Sequence, residues 1–294
     1  MGEATDRFRR AIEEALGARV TAMARLGGGD VAESYRVSLD DGVTVFAKTH
    51  RSPPPQHFST EARGLQGLRG SGAVRVPEVV AVQDRSDDGV TVALLVLEWV
   101  DESGGRPATD DAFGRELAAL HRTGAPCFGR EDRRSTGSRG LPNEPCATWA
   151  EFYATQRLRP LAALARRDGA LPAGALAGLE RLAGRLQEVG GDPEPPARLH
   201  GDLWAGNRLV DRRGHSWLID PAAHGGHREF DLAMMRLFGG FGPDCFAAYE
   251  RAHPLAEGWE DRVALHQIAP LVVHAIKFGG GYAATASDAI AQYA

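Results

Sequence analysis

The stretch Leu199-His200-Gly201-Asp202-Leu203-Trp204-Ala205-Gly206-Asn207 constrains this chain more than any other, together with Leu218-Ile219-Asp220-Pro221, whose aspartate comes thirteen residues after Asn207. Apolar residues flank both pieces. The pattern predicts buried strands with a polar loop between them, over residues 198–221. Asp and Asn are common turn formers, and a simple polar turn is the plainer account of such a loop. At 294 residues the chain exceeds what one hydrophobic core usually serves, so two lobes are expected.

The order of the polar residues favours chemistry over a plain turn. An aspartate, an asparagine five residues on, and a second aspartate after a short hairpin form the metal-and-base set of kinase-type phosphoryl transfer. Two carboxylates and an amide oxygen are hard ligands that can align a γ-phosphate, its metal ions and an attacking hydroxyl. Asp202 is the expected acceptor of the substrate hydroxyl proton. Asn207 and Asp220 are the expected Mg²⁺ ligands. His200 is expected to fix the loop rather than carry protons. Trp204, two residues past Asp202, offers an apolar platform for a sugar or an amine. Asp231, at the start of an apolar helix, is expected to brace the loop by accepting backbone N–H bonds.

The residues before position 100 have a different texture. Glycines 27–29 precede two alternating runs, 34–39 and 43–48, joined by Asp40-Asp41-Gly42, which predicts a hairpin ending on Lys48. Lysine and arginine total 34, but only Lys48 and Lys277 are lysines. A lysine retained in so arginine-rich a chain suggests a site that needs a compact ammonium. Lys48 is therefore expected to meet the α- and β-phosphates, beneath a loop formed by Gly28 and Gly29. Glu61, in the first turn of a helix over 58–68, is the expected partner of Lys48, with Glu33 as the alternative. A nearly continuous apolar strand over 90–100 ends in Glu98-Trp99-Val100. There the Glu98 carbonyl and the Val100 amide can present an acceptor and a donor to adenine.

Helical spacing dominates the rest: 112–122, 149–165 and 173–188, then, after the 198–221 stretch, helices to the end. Residues 127–145 are polar and rich in glycine and arginine, and predict a long mobile loop. The expected class is α+β: an N-terminal nucleotide-binding lobe, residues 1–100, with an antiparallel sheet plus a helix, and a larger, mainly helical catalytic lobe, residues 101–294, with a hinge at about 97–103. The composition is that of a folded globular chain, 43% hydrophobic and 25% charged. A net charge of −5 argues against a nucleic-acid partner. No apolar run approaches a membrane span, and no signal peptide is evident, so a cytoplasmic protein is expected. Three scattered cysteines make no disulfide framework.

These motifs, with Gly226-His227-Arg228-Glu229-Phe230-Asp231-Leu232-Ala233-Met234, resemble the fructosamine kinase (ketosamine 3-kinase) family, within the aminoglycoside phosphotransferase and protein-kinase-like superfamily. The His-Gly-Asp and Asp-Leu-Ala parts are shared across that superfamily, whereas the Leu-Trp-x-Gly-Asn extension is more particular to fructosamine kinases. Further similarity runs through Phe46-Ala47-Lys48, Gln156-Arg157-Leu158-Arg159-Pro160, Leu237-Phe238-Gly239-Gly240-Phe241 and His274 to Gly279. The resemblance implies a bilobal protein-kinase-like fold that uses ATP and Mg²⁺ to phosphorylate the 3-hydroxyl of a ketosamine, the adduct of a sugar with a free amine or a protein lysine. The 3-phosphate makes the adduct labile and frees the amine. It implies Asp202 as base, Asn207 and Asp220 at the metal, Lys48 at the phosphates and Trp204 on the sugar side. Some members dimerise through a cysteine in the glycine-rich loop. Residues 29–34 contain none here, so a monomer without a disulfide-linked dimer is expected. The rival readings are an aminoglycoside or choline phosphotransferase of the same fold, and a non-catalytic nucleotide-binding module.

Overall fold

Alternating side chains build the first sheet, and the helix before it covers one face. The computed structural model describes residues 3–27, 32–85, 92–102 and 110–294. The chain divides into two compact units, residues 1–108 with 209–221, and residues 109–208 with 222–294. A single break near residue 100 does not describe this partition, because the hairpin carrying Asp220 groups with the first unit.

In the first unit, α1 (Glu3–Leu16) precedes β1 (Val20–Arg25), β2 (Glu33–Leu39), β3 (Thr44–Thr49), α2 (His57–Gly70), β4 (Val79–Gln83) and β5 (Leu94–Glu98). The five strands form one antiparallel sheet in the order β1-β2-β3-β5-β4. Phe8 and Ile12, one helical turn apart on α1, are buried against Val37, Val45, Ala47 and Val96. β5 lies between two strands, and Leu94, Leu95, Val96 and Leu97 are all buried. Gly42, at φ +87°, turns the β2–β3 hairpin, and the Asp41 carboxylate accepts from the Val43 amide at 2.9 Å.

In the second unit, α3 (Asp110–Arg122) is followed by α4 (Trp149–Phe152), a π-helical turn (Tyr153–Leu158), α5 (Arg159–Arg167), α6 (Ala173–Val189), β6 (Ala197–Leu199) and a 3₁₀ turn (Ala205–Asn207). The chain then forms the hairpin of β7 (Arg208–Val210) and β8 (Ser216–Leu218). It ends in the second unit with β9 (His224–Gly226), α7 (Glu229–Phe238), α8 (Pro243–Ala252), α9 (Trp259–Phe278) and α10 (Gly281–Tyr293). The main core joins residues of the π-turn, α5, α6, α9 and α10, among them Leu158, Leu161, Leu182, Ile268, Val272 and Ile290. Pro270 sits inside α9 and has no N–H to give the His266 carbonyl. The Tyr153 hydroxyl repairs the gap: it donates to the Leu265 carbonyl at 2.9 Å, lies 3.4 Å from the His266 carbonyl, and accepts from the Ala269 amide at 3.3 Å.

The 127–145 segment, expected to be mobile, is pinned instead. Arg157 is buried and donates to the Pro142 carbonyl and the Asn143 side chain, each at 2.7 Å. Asn143 is buried in turn, and its amide donates to the Arg134 carbonyl at 2.8 Å. Among the described residues, no helix is long and apolar enough to cross a membrane.

Candidate active site

In the first unit, β3 alternates Ala47 towards the α1 face and Lys48 towards α2, because successive strand side chains point to opposite faces. Lys48 is buried, with its Nζ 2.6 Å from a Glu61 carboxylate oxygen and 2.7 Å from Asp220 Oδ1. Burial alone would drive the ammonium towards neutrality. The two carboxylates outweigh it and hold the Lys48 pKa above its ordinary value. One ammonium cannot balance two carboxylates. Burial, opposed by Lys48 but reinforced by the charge of Asp220, pushes the Glu61 carboxyl up to about 7. Glu33, the other candidate partner, accepts instead from the Tyr35 hydroxyl at 2.8 Å and pairs with Arg51 at 3.2 Å.

Glu61 is not in the first turn of its helix, as the sequence suggested. The helix begins at His57, which leaves its first turn without an acid and places Glu61 in the second turn, directed at Lys48. The N-terminus of α2 is served from 25 residues away by Asp84, which accepts from the Phe58 and Ser59 amides at 3.1 Å each and from the Ser59 hydroxyl. Asp220 follows β8 at φ +52°, a left-handed conformation that aspartate tolerates better than most residues, at a cost of order 1 kcal/mol. Its side chain keeps 48% of its surface exposed, so the carboxylate that touches Lys48 also faces outward. The hairpin carrying it is tied down by the Leu218 amide, which donates to the Arg75 carbonyl at 2.9 Å.

In the second unit, the loop after β6 is built around two acceptors. Asp231, wholly buried at the start of α7, accepts from the backbone amides of His200 at 2.8 Å and Gly201 at 2.9 Å, and lies 3.3 Å from His121 Nε2. Burial raises the Asp231 pKa, but the His121 contact and the amide bonds prevail and hold it below the ordinary range. His121 Nδ1 meets the Tyr249 hydroxyl at 2.8 Å. Gly201 has φ +80°, and a Cβ there would stand 2.3 Å from the Ala222 carbonyl oxygen, so glycine is required on both counts. Asn207 donates its amide N–H to the Asp202 carbonyl at 2.8 Å and lies 3.3 Å from the Asp202 carboxylate. With Nδ2 so engaged, the other polar atom of that side chain is Oδ1, a hard oxygen of the kind magnesium takes. Asp220, in the first unit, offers a half-exposed carboxylate, which is also a hard oxygen donor.

Arg208, the residue after Asn207, anchors the loop by a route the sequence did not reveal. Its guanidinium donates to Asp110 at 2.8 Å and stacks 4.3 Å from the Phe113 ring centroid. Asp110 also accepts from the Gly242 amide at 2.6 Å. The partner is 98 residues away, and one arginine among many carries no signal of its own. Trp204 is 41% exposed and meets Phe238 edge-on, with ring centroids 6.2 Å apart. Gly206 lies under its indole, where a Cβ would come within 2.2 Å of the ring.

Arg228 and Glu229 are buried and form two forked ion pairs, Arg228 with Glu194 at 2.6 and 2.7 Å and Glu229 with Arg262 at 2.6 and 2.9 Å. His227, Glu229 and His266 bring ligand-type atoms within 4.8 Å of one another. The Arg262 fork already occupies both Glu229 oxygens, so the trio reads as part of a neutralised ion-pair network.

At the end of β5, Val100 is buried, Trp99 donates its indole N–H to Asp101 at 3.1 Å, and Arg36 covers its ring at 5.1 Å. The Glu98 carboxylate accepts from the Glu78 amide at 3.1 Å. Gly28 and Gly29 lie outside the described residues.

A buried lysine held by a helix glutamate beside an antiparallel sheet, with an Asp–Asn loop and a second aspartate after a hairpin, defines a phosphotransferase of the protein-kinase-like class. The fructosamine kinase family model matches residues 5–294, and the chain belongs to that family. It is 32% identical over 277 residues to a protein of Synechocystis named a probable ketoamine kinase, covering 93% of this chain and 90% of that one. It is 30% identical over 287 residues to the chloroplastic protein-ribulosamine 3-kinase of Arabidopsis thaliana, covering 96% and 85%. A solved structure from Thermobifida fusca, assigned as a fructosamine-3-kinase, superposes with a TM-score of 0.84 at 40% identity, covering 96% of each chain.

Proposed function

We propose that this chain transfers the γ-phosphate of ATP to the 3-hydroxyl of a ketosamine, the fructosamine or ribulosamine adduct of an amine or a protein lysine, as a step in deglycation. The observation that carries the reading is the Lys48 triad. A buried ammonium between Glu61 and the outward-facing Asp220 is set to meet anionic phosphate and to leave Asp220 for a cation. The relatives' names supply the substrate class.

In this mechanism Lys48 neutralises the α- and β-phosphates, and the Glu98 carbonyl and Val100 amide, beside Trp99, take adenine. Asn207 and Asp220 would hold Mg²⁺, which would supply positive charge to offset that of the transferring phosphate. Asp202 accepts the proton of the 3-hydroxyl as that oxygen attacks phosphorus, and ADP leaves. Trp204 receives the apolar face of the sugar. A cytoplasmic setting suits this role.

The test is ATP turnover on fructosyl-lysine and ribulosyl-lysine, against kanamycin and choline. Turnover of the ketosamines is expected, with kcat falling about 10²–10⁴-fold in Asp202→Asn. Turnover of kanamycin or choline alone, or an Asp202→Asn enzyme at full rate, contradicts the proposal.

A further inference from the structure

The aromatic surface that starts at Trp204 continues well beyond one ring. Phe238, at the end of α7, lies 6.2 Å from Trp204 and 5.0 Å from His274 on α9. His274 in turn lies 5.6 Å from Phe278 and 5.1 Å from Tyr282, and those two rings are 6.0 Å apart. The backbone sets up the far end. Gly279 and Gly280, both at positive φ, turn the chain sharply between α9 and α10, so the last residue of one helix and the first turn of the next present rings side by side.

Both ends of this strip are open, with Trp204 41% and Phe278 52% exposed. His274 Nδ1 lies 2.8 Å from the Pro270 carbonyl, which can only accept, so that nitrogen carries the proton and the ring is fixed in orientation. The strip is therefore a largely preset surface that begins two residues from Asp202. At its far end Lys277 stands 5.2 Å from the centroid of the Phe278 ring, which disfavours a second cation there.

We infer that this strip is the subsite for the amine component of the substrate. Phe278 and Tyr282 receive the hydrocarbon stem of a lysine-derived ketosamine whose end is neutral or anionic. The inference rests on the ketosamine reading above and names which amines it favours. Two substrates with the same sugar isolate it: the fructosyl adduct on the side-chain amine of Nα-acetyl-lysine, with a four-carbon stem, and fructosyl-glycine, with almost none.

The wild-type enzyme is expected to prefer the lysine adduct in kcat/KM. Phe278→Ala and Tyr282→Ala are each expected to shrink that preference about three- to tenfold, mainly through KM for the lysine adduct. A preference unchanged in both variants, with both adducts still turned over, overturns the subsite while leaving the ketosamine reading intact. A wild-type enzyme that turns over neither adduct overturns both.

Discussion

At the scale of single residues, the account turns on how few atoms hold each charge. Glu61 shares Lys48 with Asp220, so Glu61→Gln leaves the ammonium one carboxylate. We expect little loss of thermal stability and at least a tenfold loss of kcat/KM for ATP, because the ammonium is then drawn to Asp220 alone. A variant with unchanged ATP kinetics would show that Glu61 does not position Lys48. Asp231 is the contrasting case. It is buried and serves two backbone amides and His121 at once. Asp231→Ala is expected to cost about 3–5 kcal/mol, since those donors lose their acceptor inside the protein. Urea unfolding measures it, and a loss below about 1 kcal/mol would contradict the bracing role. Asp231 was legible because a carboxylate at the start of an apolar helical run implies a backbone task, and Glu61 because the helix after a strand lysine can offer that lysine a carboxylate. Asp84 and Asp110 were not legible. Each acts on a partner far along the chain, and nothing beside them in sequence marks that partner.

At the scale of elements, periodicity carried most of the information. Side-chain alternation at 34–39 and 44–49 and helical spacing in 173–189 reflect burial on one face, which local sequence records directly. The helix over 149–165 was also legible, but its π-helical turn was not: Tyr153, where that turn begins, bonds the Leu265 carbonyl more than a hundred residues later, a pairing that local sequence does not record. The 127–145 segment misled for a similar reason. Its composition is that of a free loop, and its order comes from Arg157 and Asn143. The loop after β6 makes the sharpest test of an element. Gly201→Ala adds a methyl 2.3 Å from the Ala222 carbonyl in a left-handed conformation. We expect a loss of about 2–4 kcal/mol and a drop in kcat, because the strain sits next to Asp202. Wild-type stability and rate in that variant would show that the loop is not held as described.

At the scale of the whole molecule, the sequence suggested one break in the chain, whereas the structure returns residues 209–221 to the first unit. A parallel bridge between Arg75 and Trp217 makes that tie, and backbone pairing over such a separation leaves no local trace. Stability should depend on pH through buried histidines. Burial, with the nearby Arg157 charge, pushes His224 down to about 3, and burial with His266 beside it pushes His227 down to about 4. An unfolded histidine titrates near 6.5, so in acid the unfolded state takes up protons that the folded state refuses. The stabilisation from these two groups is whole above about pH 6.5 and falls as the pH drops towards 4, by up to about 1.4 kcal/mol per unit for each. Melting temperatures measured from pH 8 to 4 should fall below 6.5, and a flat profile down to pH 5 would contradict the burial argument. The transfer itself is read by phosphorus NMR of the product formed from ATP and fructosyl-lysine. One new phosphomonoester, coupled to the proton on sugar carbon 3, is expected, followed by release of free lysine. A phosphate on any other hydroxyl, or ATP consumed with no phosphorylated ketosamine, would contradict it.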